Sequence, residues 1–174
     1  FRAGYILSGK SVSVSYEIKN LSAENMYFSV GAHEAYLCPD GIDGYSVRFE
    51  KKETAERYLT EESLLNYKSL PFLSDEDTIR LKDDYFKNDA LVFKGLKSKS
   101  AILEGDGRAL QLDFADFDYF LIWMIPGEEF VCLEPWAGMP DKIDGNYNLA
   151  SREGILCAKP GETIIKTHTI TVIK

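Results

Sequence analysis

The chain has 174 residues, 45% hydrophobic, 13% aromatic and 28% charged, a mixture too apolar for a disordered tail and too polar for a membrane bundle. Lys and Arg number 20 against 28 Asp and Glu, a net charge of −8, which repels phosphate backbones and anionic lipid and argues against nucleic-acid and membrane partners. A chain of this length buries roughly 68–70% of its unfolded surface, enough for a core without disulfide staples, and residues 1–174 are read as one domain.

Residues 1–7 are apolar and strand-like, closed by a Ser8-Gly9-Lys10 turn. Because the first residue is Phe1 and not Met, the chain is expected to be the later portion of a longer protein. Residues 11–19 alternate strictly, with Val12, Val14, Tyr16 and Ile18 on one face and Ser13, Ser15, Glu17 and Lys19 on the other, the pattern of a half-buried strand. Similar runs follow at 26–30, 45–50, 90–93, 101–104, 109–114, 119–125, 130–133 and 163–173, separated by Asn, Gly, Asp and Pro clusters that punctuate antiparallel sheets. Between them, Thr60-Glu-Glu-Ser-Leu-Leu65 offers an N-cap and an acidic first turn, so one short helix is expected over 60–67, ended by Pro71. With helices for parallel crossovers otherwise missing, the architecture expected is a large all-β sandwich of hairpins and meanders.

Cys38, Cys132 and Cys157 make an odd number without CxxC spacing, read as reduced, buried core thiols in a reducing, cytoplasmic setting. No basic segment leads into an apolar signal sequence, and no stretch of 18 apolar residues occurs. The charged stretch 50–62 and the cluster 74–77 read as solvated surface. The loop Asp40-Gly-Ile-Asp-Gly44 lacks the spacing of a calcium loop and reads as a turn. Dinucleotide, P-loop and hydrolase-elbow motifs are absent, and neither a metal nor a cofactor is expected.

Two histidines remain to be weighed. His168 lies mid-strand between Thr167 and Thr169 and is expected to be structural. His33, next to Gly31 in a loop after a strand, is either an ordinary loop residue or an imidazole presented to a cleft, able to donate a proton near neutrality. Glu134 ends the apolar run 130–133 and is held by Pro135 beside Trp136. It is either a plain strand-end carboxylate or a desolvated base beside an indole face suited to a sugar ring.

Taken together, Ser11-Val-Ser-Val-Ser-Tyr-Glu-Ile-Lys-Asn20, Met26-Tyr-Phe-Ser-Val-Gly-Ala-His33, Asn88-Asp-Ala-Leu-Val-Phe93, Val131-Cys-Leu-Glu-Pro-Trp-Ala-Gly-Met-Pro-Asp141 and Lys159-Pro-Gly-Glu-Thr163 resemble, in order, the aldose 1-epimerases or galactose mutarotases, LacX-like branch. The resemblance implies a β-supersandwich of two large sheets, incomplete at its N-terminus, with exposed sheet edges that the missing portion or another chain covers. It implies interconversion of the anomers of a free hexose such as galactose or glucose, without metal or cofactor. By the same resemblance Glu134 matches the general base, His33 the general acid and Asp89 a sugar-binding aspartate, with Trp136 a lining residue. The acid and base are expected to flank one pyranose ring from opposite sides. Glu34, where relatives often carry Pro, and the absent N-terminal site residues leave open a carbohydrate-binding or sensing module without turnover; a resemblance to a sibling family leaves open a hexose-6-phosphate epimerase, whose cleft would need basic residues for the phosphate.

Overall fold

Alternating β-branched and aromatic positions set the architecture of the computed structural model, which describes residues 1–39 and 41–174, Tyr67 by its backbone alone. Asp40 and the first ligand position of the 40–44 loop lie outside the described residues. In chain order the strands are β1 (Arg2–Ser8), β2 (Ser11–Lys19), β3 (Met26–Phe28), β4 (Val30–Gly31), β5 (Glu34–Leu37), β6 (Ser46–Glu61) and β7 (Leu64–Arg80). They continue as β8 (Leu91–Lys94), β9 (Ser100–Gly105), β10 (Arg108–Asp113), β11 (Tyr119–Trp123), β12 (Phe130–Ala137), β13 (Leu156–Ala158) and β14 (Thr163–Val172). Helix among the described residues is confined to two single 3-10 turns, Asp83–Phe86 and Leu149–Ser151.

The expected all-β, antiparallel architecture is what forms, but its layers differ from two large sheets. One twelve-stranded sheet runs β1-β2-β14-β10-β9-β6-β8-β11-β12-β4, with β5 on β12 and β7 on β6, while β13 and β3 form a separate two-stranded sheet. The large sheet curls over its own core, where Phe114 stacks on Phe120 and Phe49 meets Phe93 and Phe120 edge-on. Curling closes when distant strands bond across the interior. His168 on β14 is fully buried, and its Nε2 lies 3.0 Å from Oε1 of Glu34 on β5. His168 is therefore structural, as expected. Glu34 turns into this core contact and not toward the cleft.

The helix expected over 60–67 is absent. Glu62 and Ser63 take positive φ (52° and 65°) and form the two-residue turn of the β6–β7 hairpin, the twist that matches paired strands. Thr54, Tyr58 and Thr60, with Arg57 and Leu59 between, carry the strand pattern through to that turn. Pro71 sits in β7 where the register slips between Ala55 and Glu56; among the named strands β7 pairs with β6, and its one further bridge, Leu65 to Lys142, lies away from Pro71, so the proline takes an edge position where a missing N–H is tolerated. The charged stretch is also not uniformly solvated: Glu53 is buried and accepts hydrogen bonds from the Lys97 and Ser98 backbone N–H groups and the Ser98 hydroxyl. Cys38 and Cys132 are buried free thiols, but Cys157 is exposed. β1 forms one edge of the large sheet, with Phe1, Tyr5, Ile6 and Leu7 open to solvent.

Among the described residues His168 Nδ1 has no hydrogen-bond partner and Nε2 has only Glu34, so removing that carboxylate strands the whole buried ring. Glu34→Ala is expected to lower unfolding free energy by roughly 1–3 kcal/mol, and Glu34→Gln, which keeps an acceptor, by less. Urea denaturation midpoints of the three proteins check this ordering.

Candidate functional site

Pro135 organises the site. It interrupts β12 with a residue that has no N–H to give, and opposite it the neighbouring strand is broken into β4 and β5. The ladder pairs Trp136 with Gly31 before the break and Leu133 with Glu34 after it, so continuing the register through the gap sets His33 opposite Glu134 and Ala32 opposite Pro135. Ala32 N–H donates to the Pro135 carbonyl at 3.0 Å, which tethers the gap while leaving His33 free of the ladder. Cross-strand neighbours stand within side-chain reach. His33 Nε2 accordingly lies 3.4 Å from Glu134 Oε1, in direct contact and not a ring's width apart as expected.

The two groups see different surroundings. His33 is half-exposed and packs edge-on against Trp123 at 5.7 Å. Glu134 is 2% exposed, and its Oε1 has no hydrogen-bond partner among the described residues. Burial, then repulsion from the carboxylates of Asp89 and Glu34, pushes its pKa up to about 7.

All four residues singled out by the sequence, His33, Asp89, Glu134 and Trp136, line one cleft of about 270 Å³. Trp136 lies along its wall, its indole N–H donating to the Ala32 carbonyl at 3.1 Å. The indole rests on bare backbone: a Cβ on Gly31 would come within 2.5 Å of Trp136 Cδ1. Asp89 precedes β8 with φ of 104°, a costly conformation for a non-glycine residue and one that clusters at functional positions. Its Oδ2 accepts from the Thr60 hydroxyl and its Oδ1 from the Ala90 N–H, both at 2.8 Å. The carboxylate is thus aimed by the tip of the β6–β7 hairpin.

Sequence reasoning missed Thr60, Ser63, Trp123 and Pro140 in the lining. Trp123 was within reach of it. Period-2 alternation puts Leu121 and Trp123 on the face shared with Cys132, Glu134 and Trp136, and Leu121 pairs directly with Glu134. Thr60 and Ser63 belong to the hairpin that replaces the expected helix. Cys132 was also overlooked: donor atoms of His33, Cys132 and Glu134 lie within 4.8 Å of one another, close enough to share a thiophilic cation. The described residues lining the cleft include no Lys or Arg.

No protein-family model matches the chain. It is 30% identical over 183 aligned positions to the plasmid-encoded protein LacX of Lactococcus lactis subsp. lactis, an alignment covering 99% of this chain and 61% of LacX. Its fold is similar to that of a galactose mutarotase related enzyme from Lactobacillus acidophilus, with a TM-score of 0.92 and 25% identity over 100% of this chain and 61% of that one. A galactose mutarotase-like protein from Lactobacillus casei aligns with a TM-score of 0.89 and 20% identity, covering 98% and 62% of the two chains. The chain thus spans about three-fifths of the length of these relatives.

The raised Glu134 pKa has a signature independent of any reaction. Between the ordinary value of 4.5 and about 7, the folded protein holds a proton that the unfolded chain has released. Stability therefore falls as pH rises through that window, by at most about 1.4 kcal/mol per pH unit, and levels off above it. Urea midpoints across pH 4.5–8 are expected to follow this slope in the unmutated protein and to lose its Glu134 component in Glu134→Gln.

Proposed function

The chain is related to the LacX-like, galactose mutarotase-like proteins, and on that premise we propose that its cleft opens and recloses the ring of a free aldose, interconverting the anomers. The observation that carries the reading is the 3.4 Å approach of half-exposed His33 to the unpartnered oxygen of buried Glu134.

Side-by-side placement suits this chemistry, because the anomeric hydroxyl and the ring oxygen are bonded to the same carbon. Glu134 takes the proton of the hydroxyl at C1 while His33 gives one to the ring oxygen. The bond from C1 to the ring oxygen breaks as the carbonyl forms. Rotation about C1–C2 presents the other carbonyl face, and the reverse transfers close the ring. Burial leaves Glu134 basic enough to act near neutrality and still able to return the proton. Asp89, oriented by Thr60, is the acceptor for sugar hydroxyls, and Trp136 supplies an apolar wall.

The absence of Lys and Arg from the described cleft lining, beside the carboxylates of Glu134 and Asp89, favours a free sugar over a hexose 6-phosphate. Positioned acid–base groups contribute about 10²–10⁴-fold each. Polarimetry on freshly dissolved α-D-galactose is therefore expected to show at least a 100-fold loss of rate in Glu134→Gln and a similar loss in His33→Gln, with the unmutated rate falling below pH 7 as Glu134 takes up a proton. Sugar binding in a calorimeter with no rate enhancement would replace this reading by that of a binding module.

A further inference from the structure

The floor of the cleft gathers three kinds of metal-binding donor. Cys132 and Glu134 stand two positions apart on β12 and share a face, while the register sets His33 opposite Glu134. One ring nitrogen of His33, the Cys132 sulfur and one Glu134 carboxylate oxygen all lie within 4.8 Å of one another. Glu134 Oε1, on a side chain 2% exposed, has no hydrogen-bond partner among the described residues and faces His33 Nε2 at 3.4 Å. We propose that His33, Cys132 and Glu134 form a binding site for a thiophilic divalent cation of the zinc class, and that its occupancy arrests the anomer chemistry of the cleft.

The geometry suits a four-coordinate ion with one open position. At zinc bond lengths of about 2.0–2.3 Å, neighbouring ligand atoms of a tetrahedron stand about 3.3–3.7 Å apart. The edge between His33 and Glu134 already falls in that range, and no edge exceeds it by more than about 1 Å. Side-chain rotation supplies that movement, helped by the place of His33, half-exposed and off the ladder between β4 and β5. Cys132 and Glu134 are buried on a paired strand and fix two corners. His33 and Glu134 line the cleft and Cys132 lies behind them, so the fourth corner falls on the open side, to water.

Charge and softness select the ion. Binding converts the Cys132 thiol to a thiolate, its proton passing to water, and Glu134 releases any proton it holds in the same way. One thiolate and one carboxylate then cancel the two positive charges, so the buried centre carries no net charge. Asp89 lines the same cleft and with Glu34 adds a negative field at Glu134, which no Lys or Arg among the described lining residues opposes. Sulfur and imidazole donors favour zinc over magnesium or calcium, which take oxygen and more ligands. The arrest itself rests on the proposed anomer reaction: with the His33 nitrogen and the Glu134 oxygen bonded to an ion, neither exchanges a proton with a sugar.

The test uses the full chain carrying Cys157→Ser, which removes the exposed thiol. Titration with cobalt(II) as a coloured substitute for zinc is expected to give a thiolate-to-cobalt charge-transfer band and the visible absorption of a four-coordinate ion, saturating at one ion per chain. Zinc is expected to displace the cobalt and magnesium to leave it in place. Adding Cys132→Ser or His33→Gln is expected to weaken zinc binding at least about tenfold, the former with loss of the charge-transfer band. Cys132→Ala, which leaves no buried hydroxyl to satisfy, is expected to behave as Cys132→Ser does. Both Cys132 variants are expected to keep anomer exchange while losing its sensitivity to zinc. No band, a band that survives removal of Cys132, zinc affinity unmoved in His33→Gln, or displacement by magnesium overturns the site. Anomer exchange undiminished at saturating zinc overturns the arrest. The band in a chain that never exchanges anomers supports the site and removes the anomer chemistry.

Discussion

The missing N–H of Pro135 is the constraint from which the site follows. A strand carrying a proline cannot be fully laddered on the side its nitrogen faces, and here the neighbouring chain answers with a two-residue gap between β4 and β5. Register is nevertheless preserved on both sides of the gap. That combination holds His33 directly opposite Glu134 while freeing its backbone from the sheet. Two groups 101 positions apart in sequence thus meet through the ordinary geometry of a strand pair.

Electrostatics follows from the same placement. Glu134 lies on the inward face of a strand whose neighbours on that face are Leu121, Cys132 and Trp136, so water is largely excluded and ionisation is disfavoured. Two further carboxylates act on it through space without touching it. Glu34 belongs to the core contact with His168, and Asp89 belongs to the cleft, so the fold's closure and its proposed chemistry share one field. Strain at Asp89 is maintained by Thr60 and the Ala90 N–H, which over-determine the carboxylate position.

Much of this was legible in the residues, and the illegible parts have physical causes. Alternation located β2, β10 and β14 because each has one face against the core and one toward polar surroundings, the situation that writes a period of two into sequence, whereas β11 is buried on both faces and shows as a continuous apolar run. Thr60-Glu-Glu-Ser63 misleads because an N-cap with an acidic turn and the tip of a hairpin use the same small polar residues. Only the handedness of Glu62 and Ser63 separates the two, and no side chain announces it. Glu53 was hidden for a related reason: its partners are backbone groups of Lys97 and Ser98, distant in sequence and anonymous in composition. Among the site residues, the motif residues His33, Asp89, Glu134 and Trp136 fall in one cleft, whereas Thr60 and Ser63 arrive with a hairpin whose reach no local pattern encodes.

The seat of Trp136 on Gly31 carries a consequence for how such a cleft can diversify. Since the indole fills the volume a side chain at position 31 would take, even one added methyl group must lever it inward or unseat it from the Ala32 carbonyl. The width of the cleft is therefore gauged by a residue that does not line it, and a change in its aperture is open through this glycine without altering His33, Asp89 or Glu134.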